Sequence, residues 1–192
     1  MKKCTPMVFL LAAFFQLPAV WAAKYFDFSP AVRDAYQKAI SLRVAESQAE
    51  LEALKTSEPD NLMTLYVANY VDFVTVFANE NQAEYSRLSR NMEPRLDKIS
   101  RGDRQSPYYL YTQAQIRLQW AILRMRFSDY LAAASDIKQA YALLEENQRR
   151  FPDFTANKMS LGIMHALVGN VPEDFRWVLR GLGGMSGSTA QG

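Results

Sequence analysis

The chain has 192 residues and a formal charge of +2 at neutral pH, from 22 Lys and Arg against 20 Asp and Glu. That length suffices for one domain with its own core, and so small an excess of positive charge leaves little to release counterions from nucleic-acid phosphates. Cys4 is the only cysteine and His165 the only histidine, which excludes a disulfide framework and a zinc site built from those ligands.

Residues 1–22 have the three-part layout of a secretory signal peptide. Lys2 and Lys3 lead into an apolar run from Met7 to Val20, and Val20-Trp21-Ala22 supplies the small-residue pattern for cleavage before Ala23. A retained membrane anchor is the alternative. The run is shorter than the roughly 20 apolar residues a bilayer requires and is interrupted by Gln16 and Pro18. Cleavage removes Lys2 and Lys3, so 20 bases stand against 20 acids and the formal charge falls to zero. Cys4 leaves as well. It precedes the apolar run and stands too early to be the lipidated cysteine of a lipoprotein. The remaining domain, residues 23–182, is expected in the periplasm, with outer-membrane association or secretion as alternatives. No later segment is apolar and long enough to span a membrane.

Helical spacing dominates from Ser29 onward. Ser29-Pro30 opens a first helix, expected over 30–55, because the hydroxyl caps free amides and proline is tolerated at the first helical position. Ser57-Glu58-Pro59 stops it. A second helix follows Asp60 and runs to about Ala78, apolar nearly all round and therefore central; Asn69, Asp72 and Asn79 share one polar stripe, while Tyr66, Tyr70, Phe73 and Phe77 fill another face. A third covers about 80–100, kinked or divided by Pro94 and closed by Gly102-Asp103. Ser106-Pro107 opens a fourth to about Met125, Ser128 or Asp129 a fifth to Arg150, a sixth spans about 154–168 and ends at Gly169, and Pro172 opens a seventh to about Leu182. The short connections predict antiparallel neighbours. Residues 183–192 are Gly- and Ser-rich and read as a flexible tail or linker.

The spacing of small residues after residue 114 is the most specific pattern in the chain. Ser128-Asp129-Tyr130 followed by Ala133, Ile137 and Ala140 resembles the second helix of a tetratricopeptide repeat, and Leu161-Gly162 followed by Gly169 resembles the first helix of the next, with Ala121 in the place equivalent to Gly162. The family period is about 34 residues, so two extra helical turns fall between Ala140 and Phe154. The resemblance covers residues 114–182. It implies an all-α fold in which antiparallel hairpins stack as a right-handed array of about seven helices. It also implies a groove for a protein or peptide partner, with no catalytic residue, cofactor or metal. The chain also looks like the exported helical-repeat proteins of diderm bacterial envelopes, which tend to be longer, so an N-terminal domain of a longer envelope protein is a second expectation.

Arg117, Trp120 and Arg124 fall on one face of the fourth helix with Gln113 below them, and guanidinium pairing and stacking there could grip an acidic peptide. The competing expectation is that Trp120 is core and the arginines pair with acids of the second or fifth helix. Asp72 with Glu80 or Glu84 could serve a carboxylate-based hydrolase, against a hydrogen-bonded edge shared with Asn69 and Asn79. His165 lies in LGIMHALVG without HExxH, GxSxG or CxxC around it, and is expected to pack. Tyr108, Tyr109 and Tyr111 begin an amphipathic helix and are expected to anchor it. The C-terminal glycines follow a helix and form no phosphate loop.

Overall fold

The computed structural model describes residues 24–169, and side chains to His165; the predicted signal peptide, seventh helix and tail lie outside the described residues. The described residues are all-helical: α1 (Pro30–Ile40), α2 (Val44–Ser57), α3 (Met63–Asn79), α4 (Gln82–Leu88), a 3₁₀ turn (Ser89–Asn91), α5 (Met92–Ile99), α6 (Tyr108–Arg126), α7 (Tyr130–Arg150) and α8 (Thr155–Gly169). None of these helices is long and apolar enough to cross a membrane.

Two boundaries differ from the sequence expectation. The helix predicted over 30–55 is two helices, folded back at Ser41-Leu42-Arg43, where Leu42 takes a left-handed φ of 58°. No glycine or proline marks that turn, and a leucine rarely adopts such a conformation, which is why the helical spacing conceals it. The fold-back buries Val32, Ala35 and Ala39 against α2, and the small Ser47 lets the helices close up enough for its hydroxyl to donate to the Ala35 carbonyl at 2.7 Å. The third predicted helix divides into α4 and α5, but the break precedes Pro94. That proline occupies the first turn of α5, where no helical acceptor awaits its missing N–H.

Ahead of α1, residues 24–29 form a strap across the start of α3. Tyr25 makes an isolated parallel bridge with Asn61, its amide donating to the Asp60 carbonyl (3.1 Å) and its carbonyl accepting from Leu62 N (2.8 Å). The buried Asn61 side chain exchanges two bonds with the Asp27 backbone, at 2.8 and 3.1 Å. Ser29 then caps α1 through Val32 N.

Side-chain partners set the helix directions. Asn69, Asp72 and Asn79 of α3 meet Arg95, Asn91 and Glu84 respectively, so α4 and α5 run antiparallel to α3. Asn69 meets Gln119 while Glu80 meets Arg126, so α6 runs parallel to α3. Tyr108 packs on Phe154 and Gln115 bonds Ser160, so α8 runs parallel to α6, whereas α7 is antiparallel to both through Arg124–Asp136 and Tyr141–His165. Thus α1, α3, α6 and α8 lie parallel and side by side, with α2, α4–α5 and α7 as their antiparallel companions. The core runs from α1 to α6 around Val67, Ile99 and Trp120, and a smaller cluster of Ala114, Ala140, Leu144 and Met164 joins α6, α7 and α8.

Candidate interaction face

The residues that sequence reasoning singled out on α6 face inward. Trp120 is 1% exposed, and its indole N–H donates to Asn69 Oδ1 at 2.9 Å. The same Asn69 donates to Gln119 Oε1 (2.7 Å), so the centre of the α3–α6 contact is a closed set of polar bonds inside an apolar shell. Arg117 and Arg124 converge on the Asp136 carboxylate of α7, Arg117 at 3.1 Å. Burial pushes the Asp136 carboxyl above the usual carboxylate range, opposed by the two guanidiniums that pull it back. Of the two expectations for this trio, the structure has the tryptophan in the core and the arginines paired with α7. Trp120 is enclosed, and the two partly exposed cations share one acid.

The acids considered for chemistry are separately tied. Asp72 is 8% exposed, holds Arg95 at 2.6 Å and accepts from Asn91 at 2.8 Å. Glu80 pairs with Arg126, and Glu84 accepts from Asn79. His165 is half-buried with Nε2 3.2 Å from the Tyr141 hydroxyl, and burial, then the neighbouring Glu145, raises the Tyr141 pKa. Among the described residues, no group of three or more His, Cys, Asp or Glu is placed to hold a metal ion.

What the parallel helices leave open is a different surface. At about 100° per residue, Leu118 lies roughly 200° around α6 from Trp120. It belongs to a stripe of Tyr111, Gln115, Leu118, Ile122 and Met125, in which Tyr111 and Leu118 pack on the small cluster shared with α7 and α8 and only Ile122 and Met125 are exposed. Ile122 is 43% and Met125 47% exposed. On α3 the corresponding stripe is Tyr66, Tyr70, Phe73 and Phe77, joined in series by ring contacts of 5.8 Å (Tyr70–Phe73) and 5.6 Å (Phe73–Phe77). Tyr36 of α1 extends the series, standing edge-on to Tyr70 at 5.2 Å and stacking on Tyr66 at 6.0 Å. On the other side Gln115 donates to Ser160 Oγ of α8 at 2.8 Å, and Ile163 is left 55% exposed.

One face therefore runs across α1, α3, α6 and α8. In its inner floor Tyr66 is buried and Tyr36, Tyr70 and Tyr111 are half-buried, and its C-terminal margin exposes Ile40, Phe77, Ile122 and Met125. Burial raises the pKa of Tyr66, Tyr70 and Tyr111 above the ordinary tyrosine value, most strongly for Tyr66. The stripe on α3 was legible as an aromatic periodicity. The one on α6 was overshadowed by the adjacent arginines and tryptophan, whose spacing is equally regular.

The described residues are all-α, folded as antiparallel helix hairpins, with Phe77, Ile122 and Met125 exposed toward one side. No family model, curated protein or solved structure matches the chain.

Proposed function

We propose that the chain is an exported interaction scaffold, a tetratricopeptide-like array with no catalytic activity of its own, and that it docks a partner protein on the face shared by α1, α3, α6 and α8. The occupant is an amphipathic helix whose apolar seam carries no charge, because the floor of the face offers tyrosine rings, Leu118, Ile122 and the neutral Gln115. A buried unpaired charge would go uncompensated there. The single observation that carries this reading is the group of exposed apolar side chains Ile40, Phe77, Ile122 and Met125 beside the aromatic stripe of α3, since exposed apolar surface gathered on one side of a folded domain marks an interaction site. The alternation of parallel and antiparallel helices in two sets supports a repeat-like array. The N-terminal residue pattern supports export, with the periplasm as the compartment.

The test compares two double variants in cross-linking pull-downs from the cell envelope. Phe77→Glu with Ile122→Glu should lose a dominant partner that Lys138→Glu with Gln139→Glu, on the far side of α7, retains. Both should keep the thermal midpoint of the parent chain. Retention of the partner by the first pair would overturn the assignment.

A further inference from the structure

Residues 24–29 alternate as a strand does, with Tyr25 and Asp27 exposed and Phe26 and Phe28 packed on the core, yet none of them is buried. What holds them is main chain. Asp103 N donates to the Lys24 carbonyl (3.0 Å), Asp60 O and Leu62 N take the two polar groups of the Tyr25 backbone, and the Asn61 side chain takes both of those of Asp27. Asn61 is 1% exposed, and its amide is committed to this grip, to Glu58 and to Met63 N. Two shallow seats take the rings. Phe26 stands edge-on to Tyr109 of α6 at 6.3 Å and lies on Gly102, where an added Cβ would come within 2.7 Å of the ring. Phe28 stands edge-on to Tyr36 of α1 at 5.6 Å, beneath the Arg33 guanidinium.

We propose that this cradle is a strand-addition site held shut by the chain's own strap, and that an extended segment of a partner protein, with aromatic side chains two residues apart, takes the strap's place. Main-chain bonds are indifferent to sequence, so any extended backbone in this register satisfies Asp60, Leu62, Asp103 and the buried Asn61, while the two seats select rings at alternate positions. Left bare, those groups lose their partners, so an incoming strand is favoured over an empty cradle. Tethering holds the strap at an effective concentration on the order of millimolar, which keeps the cradle closed at rest. The occupant is a free segment and not a second copy of this chain. In a copy, Pro30 and α1 follow Phe28 after a single residue, and the proline confines Ser29 to extended backbone (ψ 161°), so the copy's α1 would fall on this chain's own. The cradle lies at the heads of α3 and α6, whereas Phe77, Ile122 and Met125 lie near their ends, so the inference does not rest on the inner-face reading.

The probe is a capped, fluorescently labelled peptide, Lys-Tyr-Phe-Asp-Phe-Ser, with the sequence of residues 24–29, titrated onto the full chain. Phe26→Ser with Phe28→Ser, which weakens the strap and leaves the cradle intact, should bind it at least about tenfold more tightly than the parent chain, whose strap competes. A peptide N-methylated at its tyrosine, and so unable to donate to Asp60, should bind that variant at least about tenfold more weakly. Equal affinity in either comparison would overturn the proposal. So would dimers of the parent chain that the peptide dissolves, which would give the cradle to a second copy. Amide exchange in the parent chain needs no variant: Tyr25, Asp27, Leu62 and Asp103, whose N–H groups are bonded across the strap, should exchange together at least about a hundredfold faster than the middles of α3 and α6. Exchange of these amides only with unfolding of the whole chain would make the strap a fixed part of the fold and overturn the proposal as well.

Discussion

The two sides of α6 differ in kind. The side carrying Arg117, Trp120 and Arg124 is enclosed and every polar group named on it has a partner: Asp136 for the arginines, Asn69 for the indole. The opposite side carries Ile122 and Met125, 43% and 47% exposed, beside Leu118, which packs on the small cluster shared with α7 and α8, and Gln115, which bonds Ser160 of α8. A helix used this way separates two tasks. Register and neighbour choice are set by buried, directional pairs whose loss leaves a charge or donor stranded. The exposed positions Ile122 and Met125 are freer to vary or to bind, because no directional pair is built on them.

The largest effect that sharpens this contrast is expected at Asp136. Asp136→Asn leaves two largely buried guanidiniums without a counter-charge, and urea unfolding should show a loss of about 3 kcal/mol. A loss under about 1 kcal/mol would mean that solvent screens the pair and that the enclosed side is less closed than its geometry implies.

Next in size is an alkaline limit set by the tyrosine floor. Tyr66 has its pKa raised well above 10.0 in the fold, burial being the main cause. Below pH 10 both folded and unfolded chains keep that proton and stability is unaffected. Above it the unfolded chain releases the proton and the folded one holds it, so stability falls by about 1.4 kcal/mol per pH unit for this residue alone. Urea midpoints should therefore decline from about pH 10 upward, and Tyr66→Phe should flatten that decline. An unchanged slope in Tyr66→Phe would assign the limit to other groups.

The smallest effect is expected on the open side. Phe77→Ser and Ile122→Ser should each change stability by no more than about 0.5 kcal/mol, in either direction. A larger loss would show that these side chains are covered in solution, and would erase the distinction between the two sides.

Much of the fold could be read locally. Ser29-Pro30 and Ser106-Pro107 open α1 and α6 by chemistry that acts within a few residues, Ser29 Oγ accepting from Val32 N and Ser106 Oγ from Tyr108 N. The turn at Leu42 could not be read that way, because its left-handed backbone is held by the packing of α1 on α2 and not by a residue that prefers it. The site was harder still. The sequence shows two regular stripes on α6, one of arginines with a tryptophan and one of apolar residues. Which stripe turns inward depends on Asn69 and Asp136, which lie on other helices. Charge and aromaticity drew attention to the stripe with more recognisable chemistry, and in this molecule that chemistry is used to hold helices together. Asp72 repeats the lesson: an acid on an apolar helix proved to be the anchor for Arg95 of α5.

The strap of residues 24–29 gives the molecule a mechanical property. A pull on the N-terminus does not reach α1 first. It meets Tyr25, whose backbone is bonded to Asp60 and Leu62, and then Asp27, clasped from both sides by the Asn61 side chain. The Lys24 carbonyl is held in addition by the Asp103 amide. These bonds lie across the head of α3, so tension is carried into the most deeply packed helix and the α1–α2 hairpin hangs slack as a closed loop. Whatever the chain is attached to through its first residues would be coupled to the body of the domain through α3, bypassing the hairpin that follows in sequence.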